Sequence, residues 1–144
     1  MATLQLNLIK HWFDLTLKGI KKEEYRDITP YWINRLLSME NGDNLNKCYS
    51  KEKIEWICWS LRCFKGLEYN SIEEVLTKFN IKFKEFKNTE FRNGYKSIKI
   101  VPRFIIENKG ITIGIGKEEW GFIGETPKFI ILHGKKIEKF NAIK

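Results

Sequence analysis

Residues 19–26 read Gly19-Ile20-Lys21-Lys22-Glu23-Glu24-Tyr25-Arg26, and the fold turns on how they are read. An apolar, helix-like run over residues 12–17 leads into Gly19. Glycine suits the left-handed backbone position that ends a helix. The residues after it read as a strand over 21–26. Alternation along that strand predicts Lys21, Glu23 and Tyr25 on one face and Lys22, Glu24 and Arg26 on the other. A lysine, a glutamate and an arginine thus gather just past a helix end, where ligands often sit. Such a cluster can grip a phosphate or carboxylate, and it can move a proton.

Upstream, Leu4, Leu6 and Leu8 alternate with Gln5 and Asn7, which predicts a strand with one buried face. Residues 10–18 read as a helix stopped by Gly19. Downstream, Thr29-Pro30 is a helix start, with a hydroxyl cap before a proline at the first helical position. Residues 41–44 (Asn-Gly-Asp-Asn) form a loop. Residues 50–66 carry two signals. Ile54, Ile57, Cys58 and Leu61 recur at helical spacing behind a Ser50 cap, while Trp56, Ile57 and Trp59 belong to the strand-forming types. The helical pattern is the slightly stronger. Ser71 and Glu74 form a capping-box pattern for a helix reaching about residue 80. The last third reads as β. Asn93-Gly94 between Phe91 and Tyr95 signals a two-residue hairpin turn, residues 98–106 a strand interrupted by Pro102, residues 111–115 an alternating strand, and residues 129–133 and 137–140 two short ones.

The spacing Gly19-x-Lys21-x-x-Glu24-x-Arg26 resembles the GxKxxExR signature of ASCH domains, which are small PUA-like β-barrels. Phe91-Arg92-Asn93-Gly94-Tyr95 and Gly116-Lys117-Glu118-Glu119-Trp120-Gly121 are similar to loops of bacterial and phage ASCH proteins. The resemblance implies an α+β fold, a small PUA-like mixed β-barrel with flanking helices. It also implies a single domain over residues 1–144, with a divergent helical insertion at about 45–90 where the likeness lapses. Functionally it implies a role around RNA, in translation or in the handling of modified nucleosides.

The chain has 144 residues, a length that suits one domain, and a formal net charge of +8 with a pI near 9.4. A basic surface favours anionic partners, nucleic acid first among them, although lysines also serve solubility alone. Aromatic residues make up 14% of the chain, enough to fill a core and leave some to stack on bases. The cysteines are Cys48, Cys58 and Cys63, without a CxxC pair. Their odd number and the absence of a signal peptide fit a reducing cytoplasm. Their spacing matches no zinc pattern even with His133 added, so no metal or other cofactor is expected. No apolar run is long enough to span a membrane, so no membrane partner is expected.

Each candidate residue has a functional and a structural reading. Lys21, in a partly dry pocket, can act as a base or grip phosphate; on a surface it would merely pair with Glu23. Glu24 can orient Lys21, accept a proton or bond a base edge, and Arg26 can clamp an anion. Alternatively the two form an Arg–Glu pair that only ties the strand to its neighbour. Tyr25, Trp32, Tyr95 and Trp120 lie in or near the motif loops and are candidates to stack on a ligand, against the core packing that claims most aromatics. The ligand pocket read from these is Lys21, Glu24, Arg26, Tyr95 and Trp120. Arg92, Lys96, Lys99 and Arg103 form either a stripe of phosphate contacts or edge-strand protection. His11 and His133 could each be catalytic, but two histidines without a shared motif are more often structural or surface residues.

The primary expectation is therefore binding of RNA, a nucleotide or a modified nucleoside. A small hydrolase is the alternative, an amidohydrolase or a ribonuclease with Lys21 and Glu24 as the catalytic residues. ASCH proteins that hydrolyse N4-acetylcytidine resemble one another in using a lysine, a threonine three residues later and a glutamate. Here Glu24 occupies the threonine position and cannot supply an activated alcohol. Attack by water, with Glu24 as base and Lys21 stabilising an oxyanion, is the route left. A third class is an accessory protein of a phage or mobile element that binds a host protein through an apolar patch around Trp56, Trp59 and Phe64.

Overall fold

In the computed structural model, which describes residues 2–94 and 102–140, seven strands and five α-helices alternate along a mixed α+β chain. The order is β1 (Ala2–Leu8), α1 (Lys10–Leu17), β2 (Glu23–Arg26), α2 (Pro30–Leu36), β3 (Leu37–Met39), α3 (Leu45–Cys48), α4 (Lys51–Arg62), α5 (Ile72–Lys78), β4 (Ile81–Phe83), β5 (Phe86–Asn93), β6 (Arg103–Gly114) and β7 (Lys128–Phe140). Five strands form one sheet in the order β1-β5-β6-β7-β2, and β3 and β4 form a separate antiparallel pair. The chain divides into two compact units. The first comprises residues 1–24, 85–110 and 131–144, and the second residues 25–84 and 111–130.

The first unit is built on the alternation in β1. Leu4, Leu6 and Leu8 are buried while Gln5 and Asn7 are exposed, so one face of the strand is core. β1 runs parallel to β5, with Leu6 opposite Phe91, and β5 pairs antiparallel with β6, with Phe91 opposite Phe104. Phe104 meets Phe13 of α1 edge-on, with 5.0 Å between ring centroids. Aromatic pairs at such distances add about 0.5–1.5 kcal/mol beyond the area they bury. Here α1 is clamped to the sheet by an aromatic cluster rather than by its cap, since Ile9 supplies no capping side chain.

The turn between β5 and β6 differs from the sequence expectation. A two-residue turn at Asn93-Gly94 would set Arg92 opposite Tyr95. Instead Arg92 lies opposite Arg103, and the Asn93 N–H donates to the Pro102 carbonyl at 3.0 Å. Gly94 does have positive φ (+96°), but its N–H donates to the Leu8 carbonyl of β1, so the glycine leaves the ladder rather than turning it. The strand read over 98–106 begins at Arg103, after Pro102, and its earlier residues, like Tyr95, Lys96 and Lys99, lie outside the described part of the chain. Residues 111–115 continue β6 to Gly114, and residues 129–133 and 137–140 are parts of the single strand β7.

The second unit is largely helical and follows its caps. Thr29 Oγ1 accepts from the Trp32 N–H, and Ser50 Oγ from the Lys53 N–H, which starts α4 and resolves the mixed signal over 50–66 as helix. Ser71 Oγ accepts from the Glu74 N–H. The Glu74 carboxylate reaches past the cap and accepts from the Asn70 N–H at 2.8 Å. Ile33, Leu36, Leu45, Ile57, Leu61 and Val75 are fully buried and form the core of this unit. The helical run ends at Lys78. Residues 81–83 are strand, and residues 86–90 belong to β5 of the main sheet.

Candidate functional site

The end of α1 builds the site in the first unit. Gly19 adopts φ +76°, and its N–H donates to the Thr16 carbonyl. The Ile20 and Lys21 N–H groups then both donate to the Leu15 carbonyl, at 3.0 and 3.1 Å. This doubled bond turns the chain back under the last turn of the helix and fixes the Lys21 backbone. Its ammonium lies 5.7 Å from the centre of the Trp12 ring on that helix.

Lys21 lies before β2 and outside its alternation, so the predicted separation of Lys21 from Glu24 does not hold. The Lys21 ammonium donates to the Glu23 carbonyl and to Glu24 Oε1, both at 2.5 Å. Lys21 is 3% exposed and Glu24 6%. Lys21 is therefore not a surface lysine. A buried pair in this geometry holds both groups through charge-assisted hydrogen bonds, and removing either one takes from the other a partner that offsets its burial.

His133 of β7 joins them, a residue whose sequence context favours a structural or surface role over a catalytic one. Its backbone N–H donates to the Lys22 carbonyl at 3.2 Å, which pairs β7 with the segment leading into β2. Its ring meets Phe91 edge-on at 5.1 Å. Burial pushes its pKa down to about 3, and the neighbouring Lys21 charge pushes the same way, so the imidazole is neutral near pH 7. Both ring nitrogens are shielded from solvent and have no hydrogen-bond partner among the described residues. A neutral imidazole carries one donor and one acceptor, and leaving buried polar atoms unpaired is unfavourable. The one sequence cue for His133 is a polar ring at the end of an apolar run, Phe129 to Leu132.

The other candidates are placed as follows. Arg26 belongs to the second unit, where its guanidinium sits 4.9 Å from the Trp32 ring centre. Arg35 approaches the same ring at 5.0 Å, so Trp32 carries two cations. Tyr25 is packed rather than presented. Its hydroxyl accepts from the Lys117 N–H at 2.9 Å, and its ring meets Phe122 edge-on. Trp120 is half-buried in a short 3-10 turn with the Lys117 ammonium 4.5 Å from its ring centre. Arg92 and Arg103 face each other across β5 and β6 in the first unit. Arg103 lies 3.5 Å from the Glu90 carboxylate, and Arg92 Nε is buried without a hydrogen-bond partner among the described residues. Like charges directly opposite on a sheet repel, and the Glu90 carboxylate beside Arg103 offsets part of that repulsion.

On α4, Trp56 and Trp59 are both exposed, with ring centroids 5.0 Å apart. The three cysteines are free thiols, Cys58 buried and the other two exposed. Among the described residues no group of three His, Cys, Asp or Glu side chains is placed to hold a metal ion, and no helix is long and apolar enough to cross a membrane.

Comparison with protein-family models, with characterised proteins and with solved structures finds no match for this chain.

Proposed function

We propose that this chain is a nucleic-acid-binding module of the PUA-like, ASCH type, whose ligand is RNA or a nucleotide and whose recognition centre is Lys21 with Glu24. The observation that carries the reading is the burial of this ion pair beside a neutral histidine. Stability alone gives little reason to bury a lysine and a glutamate, because well-packed apolar residues of similar size stabilise as well or better. Clusters of ionisable groups that include a strongly perturbed one, here His133, are candidates for functional sites. The GxKxxExR spacing, the +8 charge and the Arg92–Arg103 opposition on β5 and β6 agree with a phosphate-bearing ligand. In this reading Lys21 supplies the cation, Glu24 orients it and accepts from a base edge, and Arg92 and Arg103 contact the backbone.

The test is fluorescence anisotropy of a labelled single-stranded RNA against salt concentration. Binding whose logarithm falls linearly with the logarithm of salt supports the reading. Arg92→Gln reduces that slope by about one while leaving the fold intact.

A second reading, a small hydrolase acting on a modified nucleoside, draws on the direct contact between Lys21 and Glu24. Attack by water on an amide calls for a carboxylate base and a cation at the developing oxyanion, and the pair brings those two group types together. Chromatography of a nucleoside panel that includes N4-acetylcytidine decides it. Conversion that is lost when both residues are replaced supports an enzyme, and no conversion leaves binding as the function.

A further inference from the structure

The second unit holds a cavity of about 360 Å³ at the C-terminal end of α4. That volume falls within the roughly 300–1,000 Å³ typical of small-molecule sites. Phe64, Ile72 and Ile113 give it an apolar lining, from three separate parts of the chain. Arg62 and Lys65 line it as well, with Glu125 as its one carboxylate.

Arg62 is held in place. Its Nη1 donates to the Ile28 carbonyl at 2.6 Å, and that is the hydrogen bond it makes among the described residues. A guanidinium has five donors in a rigid fork. With one of them used, four remain in the same rigid fork, the donor arrangement that suits a carboxylate or a sulfonate. Lys65 is exposed and adds a second positive charge to the same cavity.

From this we infer a second binding site, distinct from the Lys21–Glu24 centre, for a small organic anion with a flat apolar body: an aryl carboxylate or aryl sulfonate. The anionic group bonds Arg62 with Lys65 nearby, and the ring system packs on Phe64, Ile72 and Ile113. Glu125, exposed, opposes the anion and limits its affinity. The inference is independent of the nucleic-acid reading and stands if that reading fails.

Cys63 lines the cavity with an exposed thiol, so its alkylation reports occupancy, while buried Cys58 reports loss of the fold. The experiment uses the full chain with Cys48→Ser, treated with iodoacetamide and followed by mass spectrometry, with 1-naphthalenesulfonate as the probe and neutral 1-naphthalenemethanol as its counterpart. The sulfonate slows Cys63 alkylation in a saturable manner, and the alcohol protects about tenfold more weakly or worse. Arg62→Gln weakens protection by the sulfonate about tenfold or more. Glu125→Gln strengthens it about two- to fivefold. Should Arg62→Gln make Cys58 reactive, Lys65→Gln decides in its place and weakens protection about two- to fivefold. Absence of protection by the sulfonate overturns the proposal. So does equal protection by the alcohol, a Glu125→Gln change that weakens binding, or indifference to the cation that is tested.

Discussion

The Lys21 ammonium lies 2.5 Å from Glu24 Oε1, and the two residues are 3% and 6% exposed. Three residues of separation bring them together because the Leu15 carbonyl, holding the Ile20 and Lys21 N–H groups at once, folds the chain before β2 begins. A charge in this position cannot be removed singly without consequence. Lys21→Ala removes the ammonium that Glu24 Oε1 accepts from in a buried pair and destabilises the fold by about 3–5 kcal/mol. Replacing both, Lys21→Met with Glu24→Leu, restores stability to near that of the native chain. Urea midpoints of the two variants check this, with Lys21→Ala low and the double variant recovered.

His133 makes stability depend on acid. Its folded pKa is depressed to about 3 from an ordinary 6.5. The unfolded chain therefore binds the proton more readily than the folded one. The contribution is fully present above pH 6.5 and is lost as pH falls from there toward 3, at up to about 1.4 kcal/mol per pH unit. His133→Phe keeps a ring against Phe91 and removes this share. Urea midpoints measured between neutral and acid pH fall less steeply for the variant than for the native protein.

Gly116 and Tyr25 are matched in the second unit. A Cβ on residue 116 would overlap the tyrosine ring. Gly116→Ala therefore displaces Tyr25 and destabilises by about 1–3 kcal/mol. Tyr25→Phe removes the acceptor of the Lys117 N–H and destabilises by about 0.5–1.5 kcal/mol. Thermal melts of the two variants test the order, with the alanine variant the lower.

Much of the fold is legible where a local signal agrees with burial. The leucine alternation of β1, the Gly19 stop, and the caps at Thr29, Ser50 and Ser71 all mark real element boundaries. β3 is invisible in the sequence because Leu37, Ser38 and Met39 are all buried, so a three-residue strand shows no alternation to read. Asn93-Gly94 misleads because a glycine at positive φ serves a strand exit as well as a tight turn. In the site, the motif spacing singles out Lys21 and Glu24 but sets them on opposite faces, since alternation holds only from Glu23 onward and Lys21 precedes the strand. His133 is hidden as a neighbour because more than a hundred residues separate it from Lys21, and only strand pairing brings its backbone to Lys22.

The most direct measurement of the central claim is RNA binding by the double variant Lys21→Met/Glu24→Leu, by anisotropy with a labelled single-stranded RNA at fixed salt, alongside its urea midpoint. The variant is expected to be as stable as the native protein to within about 1.5 kcal/mol and to bind RNA about tenfold more weakly or worse. A stable double variant that binds as tightly as the native protein contradicts it, and would make the buried pair a purely structural feature.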